Sequence, residues 1–265
     1  MLIKPNLREA IAKAWESLLS TGSIHKAKNW QGVKAPQPMI EKLWVTFQAP
    51  MPFTEREAIR MIEPNLPWAN EHFKERVGGV PLNPPPSHEI WPFNQNGNKE
   101  FIKNETFDHT YPERFWPKKA GIELQHDLRR KVQRGIRFDY GDLSDVLAKL
   151  KEDTETRQAF FPIWFPEDTG KPANVRVPCS IGYHLLVRGD RLHITYWMRS
   201  VDMIRHFQDD VYLCWKLAKY VATELDLTLG YMVFQGVSCH IFESDVDALK
   251  YKLEKWKKKD PQENT

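Results

Sequence analysis

Apolar side chains recur every three or four residues in several segments of the chain, which is the spacing of one buried helix face. In the segment after Thr54, the apolar residues Ala58 and Ile62 lie four positions apart, and Glu57 stands three positions after the threonine. A threonine followed by glutamate at this distance is a capping box, a polar pattern that begins a helix. The predicted helices are 6–19, 54–62, 143–150, 209–225 and a last one that opens near 244.

Shorter segments are rich in β-branched and aromatic residues or alternate apolar with polar ones, as strands do. Gly189 and Asp190 separate two such runs and predict a β-hairpin. Pro162 lies inside another run, which we expect at a sheet edge or a bulge because proline cannot donate to a central ladder. Helices mixed with hairpins indicate an α/β or α+β domain around a mixed sheet. The predicted strands are 159–165, 183–187, 192–198, 228–234 and 239–242.

Length and composition favour one domain. The chain has 265 residues, 41% of them hydrophobic, with 10 tryptophans, enough for a well-filled core. Residues 1–256 are predicted to form this single domain. The proline-rich segment of about 80–100 is too apolar for a free linker, so we expect an ordered insertion, and 257–265 are expected to be a disordered tail.

Net charge, apolar runs and cysteine content each argue against one class of protein. The net charge of +3 shows no basic stripe, so direct DNA binding is not expected. There is no apolar run of membrane-spanning length and no signal-peptide pattern, so we expect a cytoplasmic protein without a membrane partner. The three cysteines form no CxxC pair and no histidine spacing is typical of zinc ligands, so neither a disulfide framework nor a metal site is expected.

Four short motifs in the second half of the chain carry groups that a nucleophilic, nucleotide-handling enzyme needs. A cysteine follows a proline in Pro178-Cys179, and the segment 199–202 joins a guanidinium, a hydroxyl and a carboxylate. From residue type alone, Cys179 would more often be an unreactive buried thiol. The motifs are Pro178-Cys179, Arg199-Ser200-Val201-Asp202, Asp209-Asp210 and Cys239-His240-Ile241-Phe242.

These motifs and their intervals resemble the thymidylate synthase superfamily, whose Pro-Cys nucleophile, Arg-Ser-x-Asp segment and His-Ile-Tyr strand align with 178–242 without a gap. The resemblance implies a single domain with a large twisted mixed β-sheet flanked by helices, and a homodimer formed through that sheet. It also implies a pyrimidine nucleoside monophosphate as substrate and 5,10-methylenetetrahydrofolate as co-substrate, with no metal. Further segments similar to the family are His109-Thr110-Tyr111, Thr156-Arg157-Gln158, Ile163-Trp164 and, more loosely, Glu57 with 58–62.

The resemblance implies a role for each motif residue. Cys179 would add to C6 of the pyrimidine, so that C5 captures the one-carbon unit of the folate. A guanidinium such as Arg199 would favour the thiolate by charge attraction. The other implied roles are the phosphate grip (Arg157, Arg199 and Ser200, with Arg157 crossing to the partner active site), folate anchoring (Asp202), the sugar-hydroxyl contact (His240), general acid/base catalysis through water (Glu57) and C5 proton removal (Tyr111).

The chain departs from the family pattern at some of these positions. Gln158 stands where the family has a second phosphate arginine, so we expect Lys26, Lys28 or Lys34 to rebuild the phosphate site. Phe242 replaces a tyrosine, which removes one hydrogen bond to the sugar and leaves ribose and deoxyribose both open. Two further departures near the pyrimidine are Ser180 and Met198.

Three of the residues also have a structural explanation. Glu57 completes a capping box, and Asp202 could brace the turn after Ser200. Asp210 could be the N-cap of its helix, a position that aspartate favours. These alternatives remain open from the sequence.

Asp210 bears on the choice of substrate. It falls where thymidylate synthases carry an asparagine that reads uracil, and the family's deoxycytidylate hydroxymethylases carry aspartate there. A carboxyl group can accept from the N4 amine of cytosine and share a proton with N3. The sequence ends without the closing segment that synthases use to position hydride, so we expect water to complete the reaction.

The leading hypothesis is therefore a homodimeric deoxycytidylate 5-hydroxymethylase, of the kind that serves phage DNA modification. The alternatives are a thymidylate synthase or deoxyuridylate hydroxymethylase, an enzyme of CMP, and, from another class, a non-catalytic nucleotide- or RNA-binding relative.

Overall fold

The computed structural model describes residues 2–30, 33–93, 101–120 and 141–258. In these ranges the helices are α1 (Leu7–Thr21), α2 (Glu55–Ile62), α3 (Trp68–Val77), α4 (Tyr111–Phe115), α5 (Leu143–Glu152), α6 (Pro166–Thr169), α7 (Phe207–Glu224) and α8 (Val246–Lys258), with 3-10 turns at Pro86–Ile90 and Glu243–Asp245. The strands are β1 (Leu2–Ile3), β2 (Ser23–His25), β3 (Asn29–Trp30), β4 (Val33–Lys34), β5 (Met39–Pro50), β6 (Ile102–Lys103), β7 (Thr106–Phe107), β8 (Phe160–Pro162), β9 (Ser180–Arg188), β10 (Arg191–Asp202) and β11 (Thr228–Phe242).

A mixed sheet is the centre of the fold. Within the described residues seven strands join it, in the order β1-β5-β11-β10-β9-β8, with β2 on the end of β5. Strand β10 runs parallel to β11, and the β9–β10 hairpin is antiparallel. Strand β8, which contains Pro162, lies at an edge of the sheet. The predicted mixed sheet flanked by helices is confirmed.

Strand β11 differs from the sequence-based expectation, because residues 228–242 form one continuous strand rather than two short ones. Its central residues pair with β5 on one side and with β10 on the other, which outweighs the weak strand propensity of Gly236 and Ser238. Gly236 fits here because a Cβ would lie 2.5 Å from the Cys239 sulfur. The unbroken strand carries His240 to the same sheet edge as the end of β10.

Aromatic packing holds α7 and α8 against the sheet and α1. Phe207, the first residue of α7, packs edge-to-face on Phe234 of β11 at 5.2 Å between ring centroids. Trp15 of α1 contacts Trp256 of α8 at 5.1 Å and donates its indole N–H to the Met203 carbonyl at 2.8 Å. These buried contacts place the first turn of α7 directly beyond the end of β10.

The end of α8 and the proline-rich segment differ in part from the sequence-based expectation. Helix α8 extends through Lys258, so 257 and 258 are helical rather than part of a tail, and 259–265 lie outside the described residues. In the proline-rich segment, Ser87 packs on α3, where its N–H and hydroxyl both donate to Glu75, at 2.6 and 2.5 Å. Residues 94–100 of that segment lie outside the described residues. No helix in the described ranges is long and apolar enough to cross a membrane.

A buried ion pair ties α4 to α6. The Arg114 guanidinium donates two hydrogen bonds to the Asp168 carboxylate, at 2.8 and 2.9 Å, and both side chains are almost fully buried. Burial alone would raise the pKa of Asp168, but hydrogen bonds and charge from Arg114 hold it below its usual value. The carboxylate is therefore ionised and matched at neutral pH.

Asp168→Asn is expected to lower the free energy of unfolding by about 3–5 kcal/mol, because it leaves a buried guanidinium without its counter-charge. Urea denaturation followed by tryptophan fluorescence measures the change. Glu55→Gln is the matched control, since it removes a partly exposed pair with Lys216 and should cost less than about 1 kcal/mol. Equal losses in both variants would contradict the stabilising role of the Arg114 pair.

Candidate active site

A cavity of about 450 Å³ opens at the carboxyl-terminal edge of β10 and β11. Asp202, the last residue of β10, pairs in register with His240, which lies two residues before the end of β11, so both residues lie near the same edge. Helix α3, the first turn of α7, the 3-10 turn 86–90 and the segments 107–111 and 176–179 form the walls. The cavity has both apolar and polar lining, as small-molecule sites usually do.

The cavity brings together most of the residues that the sequence singled out. Seven of them line it, and two, Glu57 and Arg157, do not. The seven are Tyr111, Cys179, Arg199, Ser200, Asp202, Asp210 and His240.

Cys179 is positioned by Arg199. The Arg199 backbone N–H donates to the Cys179 carbonyl at 2.9 Å. Its guanidinium donates to the carbonyls of Pro178 at 2.8 Å and Val177 at 3.1 Å. The arginine therefore clamps the loop before β9 and keeps its positive charge beside the thiol.

The charge balance at Cys179 differs from the expectation that Arg199 alone would favour a thiolate. Burial raises the pKa of the Cys179 thiol above its usual value, Arg199 acts in the opposite direction, and an ionised Asp210 would raise it further. The net direction is upward. The free protein therefore holds a thiol here at neutral pH, and Arg199 limits the cost of ionising it.

Asp210 lies in the first turn of α7, but it is not the N-cap. The helix begins at Phe207 and His206 is the N-cap residue, so the carboxyl group of Asp210 is free of that structural role. Burial raises the pKa of Asp210 to about 8, with a nearby Arg76 acting against the rise. Its carboxyl group is therefore mostly protonated at pH 7 and presents one donor and one acceptor to the cavity.

Asp209, the neighbouring acid, has a structural partner instead. Its two carboxylate oxygens accept hydrogen bonds from the backbone and side-chain nitrogens of Asn65, both at 2.8 Å. This pairing secures the start of α7, so that Asp210 is held at the cavity wall.

Helix α3 supplies a polar network that sequence reasoning missed. Arg76, only 3% exposed, lies 3.9 Å over the Tyr111 ring and bonds the His72 ring nitrogen at 3.0 Å. The other ring nitrogen of His72 faces Ser87 at 3.1 Å and Glu75 at 3.4 Å. Trp68, His72 and Arg76 recur every four residues, the one sequence signal that could have placed them on a common face.

Hydroxyl groups continue this network from Tyr111 into the core. The Tyr111 hydroxyl lies 2.9 Å from that of Ser180, which lies 2.5 Å from the hydroxyl of Tyr196. Burial raises the pKa of Tyr111 to about 12, with Cys179 and Asp210 adding to the rise and Arg76 opposing it. Tyr111 is therefore a neutral phenol at the cavity in the free protein.

Asp202 both lines the cavity and braces a turn. One carboxylate oxygen accepts from the backbone N–H groups of Ile204 and Arg205, and the other lies 3.1 Å from the Arg205 guanidinium. The structural alternative for Asp202 is thus realised, without removing the carboxylate from the cavity. An oxygen already paired with Arg205 retains a lone pair for one more donor.

Five buried nitrogen atoms of cavity residues, four of them in aromatic rings, have no hydrogen-bond partner among the described residues. Burial lowers the pKa of His72, His206 and His240, which are therefore neutral at pH 7. His206 also stacks on Trp91 at 5.0 Å. Buried polar atoms are normally paired with protein, water or a ligand, so these nitrogens are available for hydrogen bonds to a molecule in the cavity. The unpartnered atoms lining the cavity are Arg76 Nε, Trp91 Nε1, His109 Nδ1, His206 Nε2 and His240 Nε2.

Glu57 does not line the cavity. Its carboxylate accepts hydrogen bonds from the backbone N–H groups of Phe53 and Thr54, at 3.1 and 3.0 Å, in the capping box of α2. The structural alternative for Glu57 is thus realised, and its role as general acid/base stays a prediction.

The expected phosphate lysines are also outside the cavity. Lys26, Lys28 and Lys34 are exposed, whereas residues that alternate with them, such as Ala27, line the opening. Arg176 lines the cavity instead, three residues before the cysteine, with its guanidinium 4.7 Å from the Phe101 ring centroid. Arg157 is exposed on the surface, and its predicted passage to a partner subunit stays a prediction. Within the described ranges, no group of three or more His, Cys, Asp or Glu residues could hold a metal ion.

Comparison with known proteins identifies the relatives of this site and fold. The thymidylate synthase family matches residues 89–264. A putative thymidylate synthase of Methanothermobacter thermautotrophicus is 35% identical over 141 residues, which cover 49% of this chain and 62% of that protein. One from Methanococcoides burtonii is 32% identical over 105 residues, or 40% of this chain and 48% of the relative. The chain thus spans about half to three fifths of these curated relatives.

A solved structure shows the same fold. The thermostable thymidylate synthase A of Bacillus subtilis superposes with a TM-score of 0.61 at 16% identity, covering 94% of this chain and 84% of that one. At this identity the likeness concerns the fold.

Iodoacetamide is expected to alkylate Cys179 alone, because Cys214 and Cys239 are fully buried and only Cys179 borders the cavity. The rate should rise with pH toward a midpoint above the ~8.5 of a free thiol. Arg199→Met should slow alkylation at pH 8 by about tenfold, equivalent to one further pKa unit, while Arg199→Lys keeps the charge and most of the rate. Peptide mass spectrometry across pH measures this. A midpoint below 8, or earlier labelling of Cys214, would contradict it.

Proposed function

We propose that this chain, which belongs to the thymidylate synthase family, transfers the one-carbon unit of methylenetetrahydrofolate to C5 of a cytosine nucleoside monophosphate. The product would be the 5-hydroxymethyl nucleotide, with dCMP the substrate predicted from the sequence. The observation that carries the proposal is that Cys179 and Asp210 line the same cavity, close enough that an ionised Asp210 would raise the pKa of the Cys179 thiol. A nucleophile and a base-reading carboxyl group are therefore available to one bound pyrimidine.

The proposed reaction uses no redox step. The Cys179 thiolate forms a bond to C6, and the electron pair of the C5=C6 double bond moves to C5, which bonds the folate methylene carbon as the first of the two carbon–nitrogen bonds of that methylene breaks. The released nitrogen takes up a proton. Loss of the C5 proton and cleavage of the second carbon–nitrogen bond release tetrahydrofolate and leave an exocyclic methylene. Water then adds to this methylene, the C5=C6 bond re-forms, and the thiolate leaves C6.

Asp210 supports cytosine as the base. A neutral carboxyl group can donate its O–H to N3 and accept from the N4 amine, which satisfies both edge atoms of cytosine. As the thiolate adds to C6, negative charge moves toward N3, and the carboxyl proton is placed to neutralise it. The carboxyl could also turn its O–H toward O4 of uracil, so uracil is the base that the experiment must exclude.

Other cavity residues would hold the rest of the substrates. Arg199 and Ser200 would bind the phosphate, with Arg157 supplied by a second subunit in a homodimer. Asp202 would receive an N–H of the pterin, next to the stacked Trp91 and His206. Tyr111 lies beside the thiol and would assist removal of the C5 proton.

A thymidylate synthase reaction on dUMP is the second candidate. Its support is that the relatives are themselves named thymidylate synthases, among them that of Bacillus phage phi3T, 26% identical over 126 residues covering 47% of this chain and 44% of that protein. A non-catalytic binding protein is less well supported, because binding alone needs no cysteine nucleophile at a nucleotide cavity.

Asp210→Asn is expected to move substrate preference from cytosine to uracil nucleotides by about 100-fold, because an amide fixes one N–H donor for O4 and one carbonyl for N3–H. Release of tritium from C5-labelled dCMP, CMP and dUMP, with methylenetetrahydrofolate, measures it. Asp209→Asn is the matched control and should keep the cytosine preference. Tritium release from dUMP alone by the unchanged protein, with dihydrofolate formed, would overturn the proposal in favour of a synthase.

The pH profile should depend on Asp210. Its raised pKa of about 8 means that the protonated form, present below this pH, is lost as the pH rises through it. Because the Cys179 thiolate increases over the same pH range, we expect kcat/KM for the cytosine nucleotide to rise with pH to about 8 and then to stop rising. In Asp210→Asn the residual activity should go on rising above pH 8 with the thiolate, and a plateau unchanged in that variant would show that another group causes it.

A further inference from the structure

Three side chains on neighbouring strands form a polar group at one wall of the cavity. Glu41 of β5 pairs in register with His240 of β11, and Ser238 lies two residues before the histidine. The Ser238 hydroxyl donates to the Glu41 carboxylate at 2.5 Å. All three residues line the cavity.

Two of these groups have capacity for a ligand. His240 is 6% exposed and its Nε2 has no hydrogen-bond partner among the described residues. The Glu41 carboxylate is half-buried, and Ser238 occupies only one of its acceptor positions. A buried imidazole nitrogen beside an acceptor-rich carboxylate is complementary to neighbouring hydroxyl groups on a ligand.

The strand register places this group next to the proposed phosphate grip. Ser200 pairs with Ser238, and Asp202 pairs with His240, across the β10–β11 ladder. A nucleotide whose phosphate lies at Ser200 therefore has its sugar within reach of His240, and the vicinal hydroxyls of that sugar would face Glu41. Phe242 cannot supply the hydrogen bond to the sugar that a tyrosine would give at this position. Glu41 would then be the second polar contact to the sugar, beside His240.

We infer that Glu41, Ser238 and His240 read a ribose through its 2′- and 3′-hydroxyls, so that the substrate is CMP rather than dCMP. The inference rests on the proposed function for the position of the nucleotide. A carboxylate that accepts from ribose hydroxyls is a general device of nucleotide recognition. A deoxyribose would place a methylene group against the carboxylate and leave one acceptor unpaired.

The expected size of the preference follows from the exposure of Glu41. Sites that fully bury such a polar group reject a substrate without the matching hydroxyl by about 10⁴-fold or more. Glu41 is only half-buried, so water can partly replace the lost hydroxyl. We expect kcat/KM for CMP to exceed that for dCMP by about 10- to 100-fold.

The test compares CMP and dCMP with the 265-residue chain by C5 tritium release and by calorimetric binding. Glu41→Ala should reduce kcat/KM for CMP to nearly that for dCMP while leaving dCMP almost unchanged, and Ser238→Ala should have a smaller effect in the same direction. Glu71→Gln, on the outer side of α3 beside Lys74, is the control and should change neither nucleotide. Thermal unfolding of each variant shows that the fold is retained.

The outcomes separate this inference from the proposed function. Equal or better use and binding of dCMP by the unchanged protein would overturn the ribose assignment while leaving the C5 chemistry intact. An equal loss for both nucleotides in Glu41→Ala would also overturn it. If neither nucleotide loses tritium but CMP binds at least tenfold more tightly than dCMP, the sugar assignment stands and the proposed reaction fails.

Discussion

The burial of a carboxyl group beside a thiol is the constraint on which this site depends. Desolvation of Asp210 at the cavity wall keeps it protonated near neutral pH, and desolvation likewise disfavours the Cys179 thiolate. The two effects are linked, because a neutral Asp210 removes a negative charge that would otherwise oppose ionisation of the thiol. Arg199 supplies the compensating positive charge and also fixes the loop that carries the cysteine. The proposed attack by Cys179 would thus depend on one uncharged acid.

Strand pairing brings the polar side chains of the cavity close together. The parallel β10 and β11 bring Asp202 and His240 to one edge, and the aromatic contact of Phe207 with the sheet sets the first turn of α7 above them. Loss of this packing would separate the carboxyl group from the thiol without changing either residue. The fold therefore acts on the site mainly by holding the neutral Asp210 and the Cys179 thiol at one cavity.

The motifs in the second half of the chain predicted that Cys179 and Asp210 lie near each other. This was possible because only the β9–β10 hairpin and the start of α7 separate the two residues along the chain. The sequence could not place Glu57, because a capping box and a catalytic acid share the same local pattern, and only the structure shows that α2 holds this carboxylate outside the cavity. Arg76 was missed, since a buried arginine is recognisable only when its partners are known. Strand β5 was also missed, because Trp44 adopts φ of +55° and interrupts the alternation.

The most direct test of the central claim is capture of the covalent adduct. Fluorine at C5 cannot leave as a proton does, so a 5-fluorocytidine monophosphate, offered as ribose and deoxyribose forms with methylenetetrahydrofolate, should stall after the C5–methylene bond has formed. Peptide mass spectrometry is predicted to find the nucleotide and folate together on the peptide that contains Cys179, and to find far less with the 5-fluorouridine analogues. No adduct on Cys179, or an adduct formed only with the uridine analogues, would contradict the account.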